Sequence, residues 1–186
     1  MRSKRTDFTF VFDLDDTLIG TNVVNNNSYR DAIRKVADID VVISSEQRFT
    51  RENLSSILKG LPEDQISAII SEKEKIFFQN IDASILNKDL CAILRILYLC
   101  GNETILLTNS RKTRAMQLCS YYSLSKYFHK QYYFEDCHQN KNKYQLLSDK
   151  GYDLNNIILF ENDPVATQLA IKNGISKENI VKILFN

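Results

Sequence analysis

The sequence predicts an α/β protein: a doubly wound parallel sheet with a small all-helical segment inserted after its first strand. Three observations predict it. Short, wholly apolar runs recur along the chain, as in strands buried on both faces of a parallel sheet. Stretches with apolar residues at helical spacing lie between those runs. Residues 22 to about 82 break the alternation, with several helical stretches and no convincing strand.

The first predicted strand is FTFVFDL, residues 8–14, rich in Phe and Val. Further apolar runs follow at 104–110 (TILLTNS), 131–136 (QYYFED), 156–163 (NIILFEND) and 179–185 (NIVKILF). Leu86, Leu90, Ile93, Leu94 and Leu97 recur at helical spacing, and Gly101 supplies a stop. Ala115, Leu118, Cys119 and Tyr122 mark another helix, and Tyr144 to Lys150 a third. Asp163-Pro164 reads as an N-cap followed by proline at the first helical position, opening a helix that runs to Gly174.

Within the insertion, Tyr29, Ile33, Val36 and Ala37 line one helix face. Leu54, Ile57 and Leu58 line a second helix that Gly60 ends. Leu61-Pro62 opens a third, with Ile66, Ile69, Ile70 and Phe77 on its inner side. The polar stretch GTNVVNNNS, 20–28, reads as a hinge or linker. The expected division is residues 1–21 with 83–186 for the sheet domain and 22–82 for the helical segment.

Composition excludes several classes of function. Lys plus Arg is 24 against 23 for Asp plus Glu, so nothing in the charge balance calls for nucleic acid or a membrane surface. The basic start MRSKRTDFTF is not followed by the long apolar run of a signal peptide, and no run approaches the ~18 residues of a membrane span. Cys91, Cys100, Cys119 and Cys137 form no C-x-x-C pair, which argues against zinc and for reduced thiols in a cytoplasmic protein. His129 and His138 lie far from any Ser or Cys nucleophile pattern, and no glycine-rich phosphate loop occurs. Oligomeric state is not legible.

Ligands of open α/β sheets bind beyond the carboxyl ends of the strands. The first strand ends in Asp13-Leu14-Asp15-Asp16-Thr17, the second in Thr108-Asn109-Ser110 and the fourth in Glu161-Asn162-Asp163. Lys141 and Lys143 precede the helix that leads into the fourth strand. Close carboxylates repel: at ~4 Å and an effective dielectric near 20, each like pair costs roughly 4 kcal/mol. Such a cluster either fans into water or holds a cation.

These motifs, in this order, resemble the haloacid dehalogenase superfamily of phosphotransferases. FVFDLDDTL matches its first motif, an apolar strand ending D-x-D-x-[T/V]. ILLTNS matches the second, a lysine ahead of a helix the third, and the strand ending in Glu161 the acidic fourth. The resemblance covers residues 8–20 and 84–186. It implies a Rossmann-like core and makes the insertion a helical cap. It also implies a magnesium-dependent phosphatase acting on a small phosphorylated metabolite. Asp13 would be the nucleophile and form an aspartyl-phosphate. Asp15 would be the acid and base. Thr108 would donate its hydroxyl to a phosphoryl oxygen, and a lysine would neutralise charge. Lys143, which begins its helix directly, is favoured over Lys141. Asn109 and Ser110 are candidate phosphate donors, with helix capping as the plain alternative. Asp16 is expected to be structural, since the family tolerates glycine there.

Magnesium is expected on Asp13 and the Asp15 carbonyl. Glu161, Asn162 and Asp163 are the remaining candidate ligands. The usual second acid of the fourth motif is here Asn162, which offers a neutral oxygen. Asp163 either compensates or caps the next helix. A phosphomutase of the same fold is the nearest alternative, and a catalytically impaired binding protein is the alternative of a different class. Arg30, Arg34, Arg48 and Arg51 are candidate cap residues for the leaving group.

Overall fold

A computed structural model describes residues 8–44, 48–137 and 142–184. The chain forms two compact units. One takes the residues up to Ile19 together with those from Leu86 onward, and the other is Gly20–Ile85.

The first unit holds a five-stranded sheet. Its strands are β1 (Thr9–Phe12), β4 (Glu103–Leu107), β5 (Lys130–Tyr132), β6 (Ile157–Glu161) and β7 (Ile180–Lys182), in the order β5-β4-β1-β6-β7. All four pairings are parallel, and Thr9–Phe12 pairs with residues 103–106 on one side and 157–160 on the other. Two short strands, β2 (Ile19–Gly20) and β3 (Ile85–Leu86), form a separate ribbon where the chain leaves this unit and returns. The helices of the unit are α4 (Lys88–Leu99), α5 (Lys112–Tyr121), α6 (Lys143–Asp149) and α7 (Pro164–Lys172). The doubly wound parallel sheet is thus as the apolar runs predicted.

The central strand is buried on both faces, as a parallel sheet requires. Val11 packs with Ile105, Leu159, Tyr144 and Ala170. Phe12 stacks on Phe160 with ring centroids 4.5 Å apart. Because β4 and β6 flank β1 and are reached in opposite directions, the carboxyl end of β1 is a topological switch point. Asp13 follows there.

Every strand ends before its apolar run does, and two of the runs show why. In the run 131–136, the strand ends at Tyr132, and Phe134–Asp136 makes a 3-10 turn closed by the Asp136 carboxylate on the Tyr133 N–H at 2.8 Å. Phe134 is half exposed, so its hydrophobicity signalled a strand that the turn chemistry overrode. In the run 104–110, Thr108 still donates its N–H to Tyr132 O at 3.1 Å, but the chain then bends away.

The second unit contains α1 (Asn22–Ala37), α2 (Arg51–Ile57) and α3 (Glu63–Gln79) around Tyr29, Ile33, Phe49, Leu54 and Ile69. The expectation of a linker over 20–28 is corrected: α1 begins at Asn22 and buries Asn25 and Asn26. Their amides serve as backbone partners. Asn26 Oδ1 accepts from Phe49 N at 2.9 Å and Nδ2 donates to Ser44 O at 3.0 Å, while Asn25 Nδ2 donates to Phe49 O at 2.9 Å. Asparagine disfavours helix interiors through local competition, and here that competition is redirected across the unit. Removing the Asn26 side chain leaves buried partners unmade, so Asn26→Ala is expected to lower unfolding stability by about 1–3 kcal/mol in denaturant titration.

Candidate active site

The chain turns sharply after β1. The Asp13 N–H donates to Phe160 O at 3.0 Å, which carries the sheet pairing one residue past the strand. The N–H groups of Thr17, Leu18 and Ile19 then all point at Leu14 O, and Asp16 N donates to Ile19 O at 2.7 Å. This turn forces Asp16 into the left-handed region at φ 57°. Aspartate tolerates that conformation better than most residues, and glycine better still. Asn87 braces the turn, with Nδ2 donating to Thr17 O at 3.2 Å and its N–H to Leu18 O at 2.9 Å.

Asp13 is buried, and its Oδ1 accepts from Lys143 Nζ at 2.7 Å. The same ammonium donates to Glu161 Oε2 at 2.8 Å. Lys143 is the first residue of α6, whose start is fixed by Asn142 accepting from the N–H groups of Tyr144 and Gln145. The three charged groups are almost wholly removed from water, and one cation serves two carboxylates. Burial therefore raises the Asp13 carboxyl to about 7, against the lowering pull of Lys143. Burial also works against the Lys143 cation, but Asp13 and Glu161 outweigh it and hold the ammonium charged, well above the usual lysine range.

Glu161 has both oxygens engaged by protein donors. Tyr144 Oη joins Lys143 on Oε2 at 2.9 Å, and the N–H groups of Asn162 and Asp163 reach Oε1 at 3.1 and 3.2 Å. Glu161, counted above with the metal ligands, is here the partner of the lysine. Asp163 spends Oδ1 on the Val165 N–H at 2.8 Å, as the N-cap of α7.

Asp15 lies over the adjoining strand end. Its Oδ1 accepts from Arg114 at 2.9 Å and its Oδ2 from the Ser110 hydroxyl. Ser110 N–H in turn donates to Thr108 Oγ1 at 3.0 Å, which leaves the buried Thr108 its hydroxyl hydrogen to give. Asn109 is exposed at the bend. The Ser110 side chain, expected near phosphate, is committed to Asp15.

The donor set can be tested against a hard cation. The Thr17 hydroxyl lies 3.1 Å from Asp13 Oδ2 and 3.0 Å from Asn162 Oδ1. One hydroxyl hydrogen can satisfy only one of these two oxygens. Two hard oxygens therefore converge with acceptor capacity to spare, which fits magnesium or a similar ion. Asp13 and Asn162 would hold it, with a single carboxylate between them. Among the described residues, no group of three or more His, Cys, Asp or Glu side chains is placed to hold a metal.

The structure thus gathers Asp13, Lys143, Glu161 and Asn162 around one point, with Asp15, Ser110 and Thr108 beside it. Lys141 and His138 lie outside the described residues. Sequence reasoning gave no role to Thr17, Arg114 or Tyr144. Arg114 carried only the signal of a basic residue one turn into the helix after the second motif. Tyr144 read as an apolar helix residue. Arg30 and Arg34 pair with Asp31 and Asp40 on exposed surface, while Arg48 donates to Thr21 Oγ1 at 2.9 Å. His129 is bound to Thr104 in the sheet unit. Cys91 and Cys119 are buried, their thiols pushed up to about 11 and about 12 by burial, so they are inert.

Residues 100–179 match the family model of the NLI interacting factor-like phosphatases. No curated protein matches the chain. Among solved structures, a predicted phosphoglycolate phosphatase from Haemophilus somnus is similar at a TM-score of 0.79 and 17% identity, over 97% of this chain and 87% of that one. CbbY from Rhodobacter sphaeroides in complex with phosphate is similar at 0.77 and 14%, over 96% and 87%. A haloacid dehalogenase-like hydrolase from Streptococcus pneumoniae is similar at 0.74 and 14%, over 97% and 86%. The chain thus has the fold of haloacid dehalogenase-like proteins.

Two outcomes are expected at this site. Lys143→Met leaves two carboxylates buried together and is expected to cost about 3–5 kcal/mol, read as a lower denaturation midpoint. Asn162→Asp adds a charged oxygen where a neutral one stands, and is expected to tighten magnesium binding by roughly tenfold or more in calorimetry.

Proposed function

We propose that the protein is a magnesium-dependent phosphatase that hydrolyses a small phosphate monoester through an aspartyl-phosphate on Asp13. The observation that carries this reading is the buried Asp13 carboxylate at the switch point, held by Lys143, with the Thr17 hydroxyl against its other oxygen and Asn162 Oδ1 against that same hydroxyl. The phosphatase family model over residues 100–179 supports it.

Asp13 attacks phosphorus as the bond to the leaving oxygen breaks. Lys143 offsets the negative charge that gathers as phosphate approaches a carboxylate. Thr108 gives its remaining hydroxyl hydrogen to a phosphoryl oxygen. Asp15 serves the second step by taking a proton from water, whose oxygen attacks the aspartyl-phosphate and returns Asp13 to its carboxylate. Where the leaving oxygen needs a proton in the first step, Asp15 supplies it. Glu161 and Tyr144 position Lys143. A bound magnesium ion would add Lewis-acid stabilisation of the phosphoryl charge. Residues 22–82 take the part of a cap that governs substrate access and recognition. The chain's cysteines are free thiols, which suits a reducing compartment such as the cytoplasm.

Hydrolysis of p-nitrophenyl phosphate with magnesium is expected, and loss of it in Asp13→Asn; equal activity in the variant would overturn the nucleophile assignment. Failure to turn over any phosphate ester, with no magnesium bound, would favour a binding protein that keeps the fold. The Asp13 carboxyl is raised from 3.8 to about 7, and the nucleophile must be ionised. At low magnesium, turnover is therefore expected to fall as pH drops through about 7, the limb moving to lower pH as magnesium is added.

The same shift has a stability consequence. Between about pH 4 and about pH 7 the folded chain keeps a proton on Asp13 that the unfolded chain releases, so stability falls as pH rises through that window. Asp13→Asn is expected to raise the thermal midpoint at neutral pH, with the gain shrinking toward pH 4.

A further inference from the structure

The acids around Asp13 are engaged by protein donors. Asp15 forms an ion pair with Arg114 at 2.9 Å. Glu161 accepts from Lys143, from Tyr144 and from two backbone N–H groups. Asp163 caps α7. The two oxygens that meet across the Thr17 hydroxyl, Asp13 Oδ2 and Asn162 Oδ1, therefore share one formal charge. Lys143 draws on that charge as well, through the other oxygen of Asp13.

The affinity of an oxygen site for a hard cation follows the charge count of its ligands. Asp13, Lys143 and Glu161 sum to one negative charge, and the Asp15–Arg114 pair adds none. A divalent cation alone would give this buried trio a net positive charge. A phosphate monoester alone, with roughly two negative charges near neutral pH, would leave it strongly negative. The two together return the site to about its resting charge. An acid at position 162 would double the resting charge, and the cation alone would then be neutralised. The attraction between ion and phosphate is a property of those two groups. What residue 162 sets is how well each of them binds without the other.

We propose that the neutral amide of Asn162 makes this a co-loading site, which takes magnesium together with the phosphoryl group instead of keeping the ion between turnovers. The proposal rests on the phosphatase reading above, which supplies the anion. It makes the phosphate-free chain largely metal-free at magnesium concentrations that saturate the phosphate-bound chain. Substrate itself then recruits the ion.

The test uses magnesium and inorganic phosphate as probes. Each is titrated calorimetrically into the full chain, alone and with the other at saturation, at a single pH and with their association in buffer subtracted. Wild type is expected to bind magnesium at least about tenfold more tightly with phosphate present, within the roughly 5–150-fold range usual for coupled sites. Linkage requires phosphate to gain the same factor from magnesium. Asn162→Asp is expected to bind magnesium alone roughly tenfold or more tighter and phosphate alone weaker by a similar factor, because one added charge acts on the two ligands with opposite sign. Its coupling factor should stay near that of wild type. Equal magnesium affinity with and without phosphate in the wild type would overturn the proposal, and that measurement needs no variant. So would an Asn162→Asp chain whose two lone affinities are both unchanged. Either result leaves the phosphatase reading standing where p-nitrophenyl phosphate is still hydrolysed. A chain that binds neither probe and turns over no phosphate ester overturns both.

Discussion

One ammonium group shared between two buried carboxylates is the constraint on which the rest of the site depends. Lys143 bridges Asp13 and Glu161, which come from different strands, while Lys143 itself begins a helix. A lysine out of water demands partners, and a carboxylate out of water demands cations. Each group therefore fixes the others. The ends of β1 and β6 and the start of α6 must meet for any of the three to be tolerable. Tyr144 and the N–H groups of Asn162 and Asp163 complete the shell around Glu161, so its charge is directed at the lysine. The trio carries one net negative charge, and that residue of charge keeps Asp13 hungry for a second cation.

The sheet explains why this concentration of charge occurs where it does. β1 is flanked by strands reached in opposite directions, so its carboxyl end opens into a crevice that no crossover helix fills. The tight turn after Leu14 keeps Asp13, Asp15 and Thr17 within a few residues of that crevice. Its left-handed residue, Asp16, bears the conformational load. Position thus separates carboxylates of the same sequence cluster into different roles. Asp13 is held by lysine, Asp15 by arginine and serine, and Asp16 by turn geometry.

The fold was largely legible because its signals are local. Runs such as FTFVF and NIILF have no polar face, and only a strand covered on both sides accommodates them. Asp163-Pro164 announced its helix through capping chemistry that needs no tertiary information. The misreadings also have physical causes. Asn25 and Asn26 suggested a linker because asparagine usually bonds locally, yet their partners at Ser44 and Phe49 lie about twenty residues on. Phe134 extended an apolar run that a 3-10 turn cut short. At the site, strand-end acids could be named from pattern, but the partners that set their behaviour could not. Arg114 stands ninety-nine positions from Asp15. Nothing in RKTRAMQ separates the arginine that turns inward from the one that faces water.

The central claim is that Asp13 is the attacking oxygen in this shared-charge pocket, and trapping the covalent intermediate tests it most directly. Asp15→Asn should still accept a phosphoryl group but should lose the base that removes it. Intact-mass and peptide mass spectrometry of that variant, after incubation with acetyl phosphate and magnesium, should show one added phosphoryl group carried on Asp13. Phosphorylation mapped to another residue would contradict the account, as would an unmodified chain in a variant whose wild type hydrolyses the same compound.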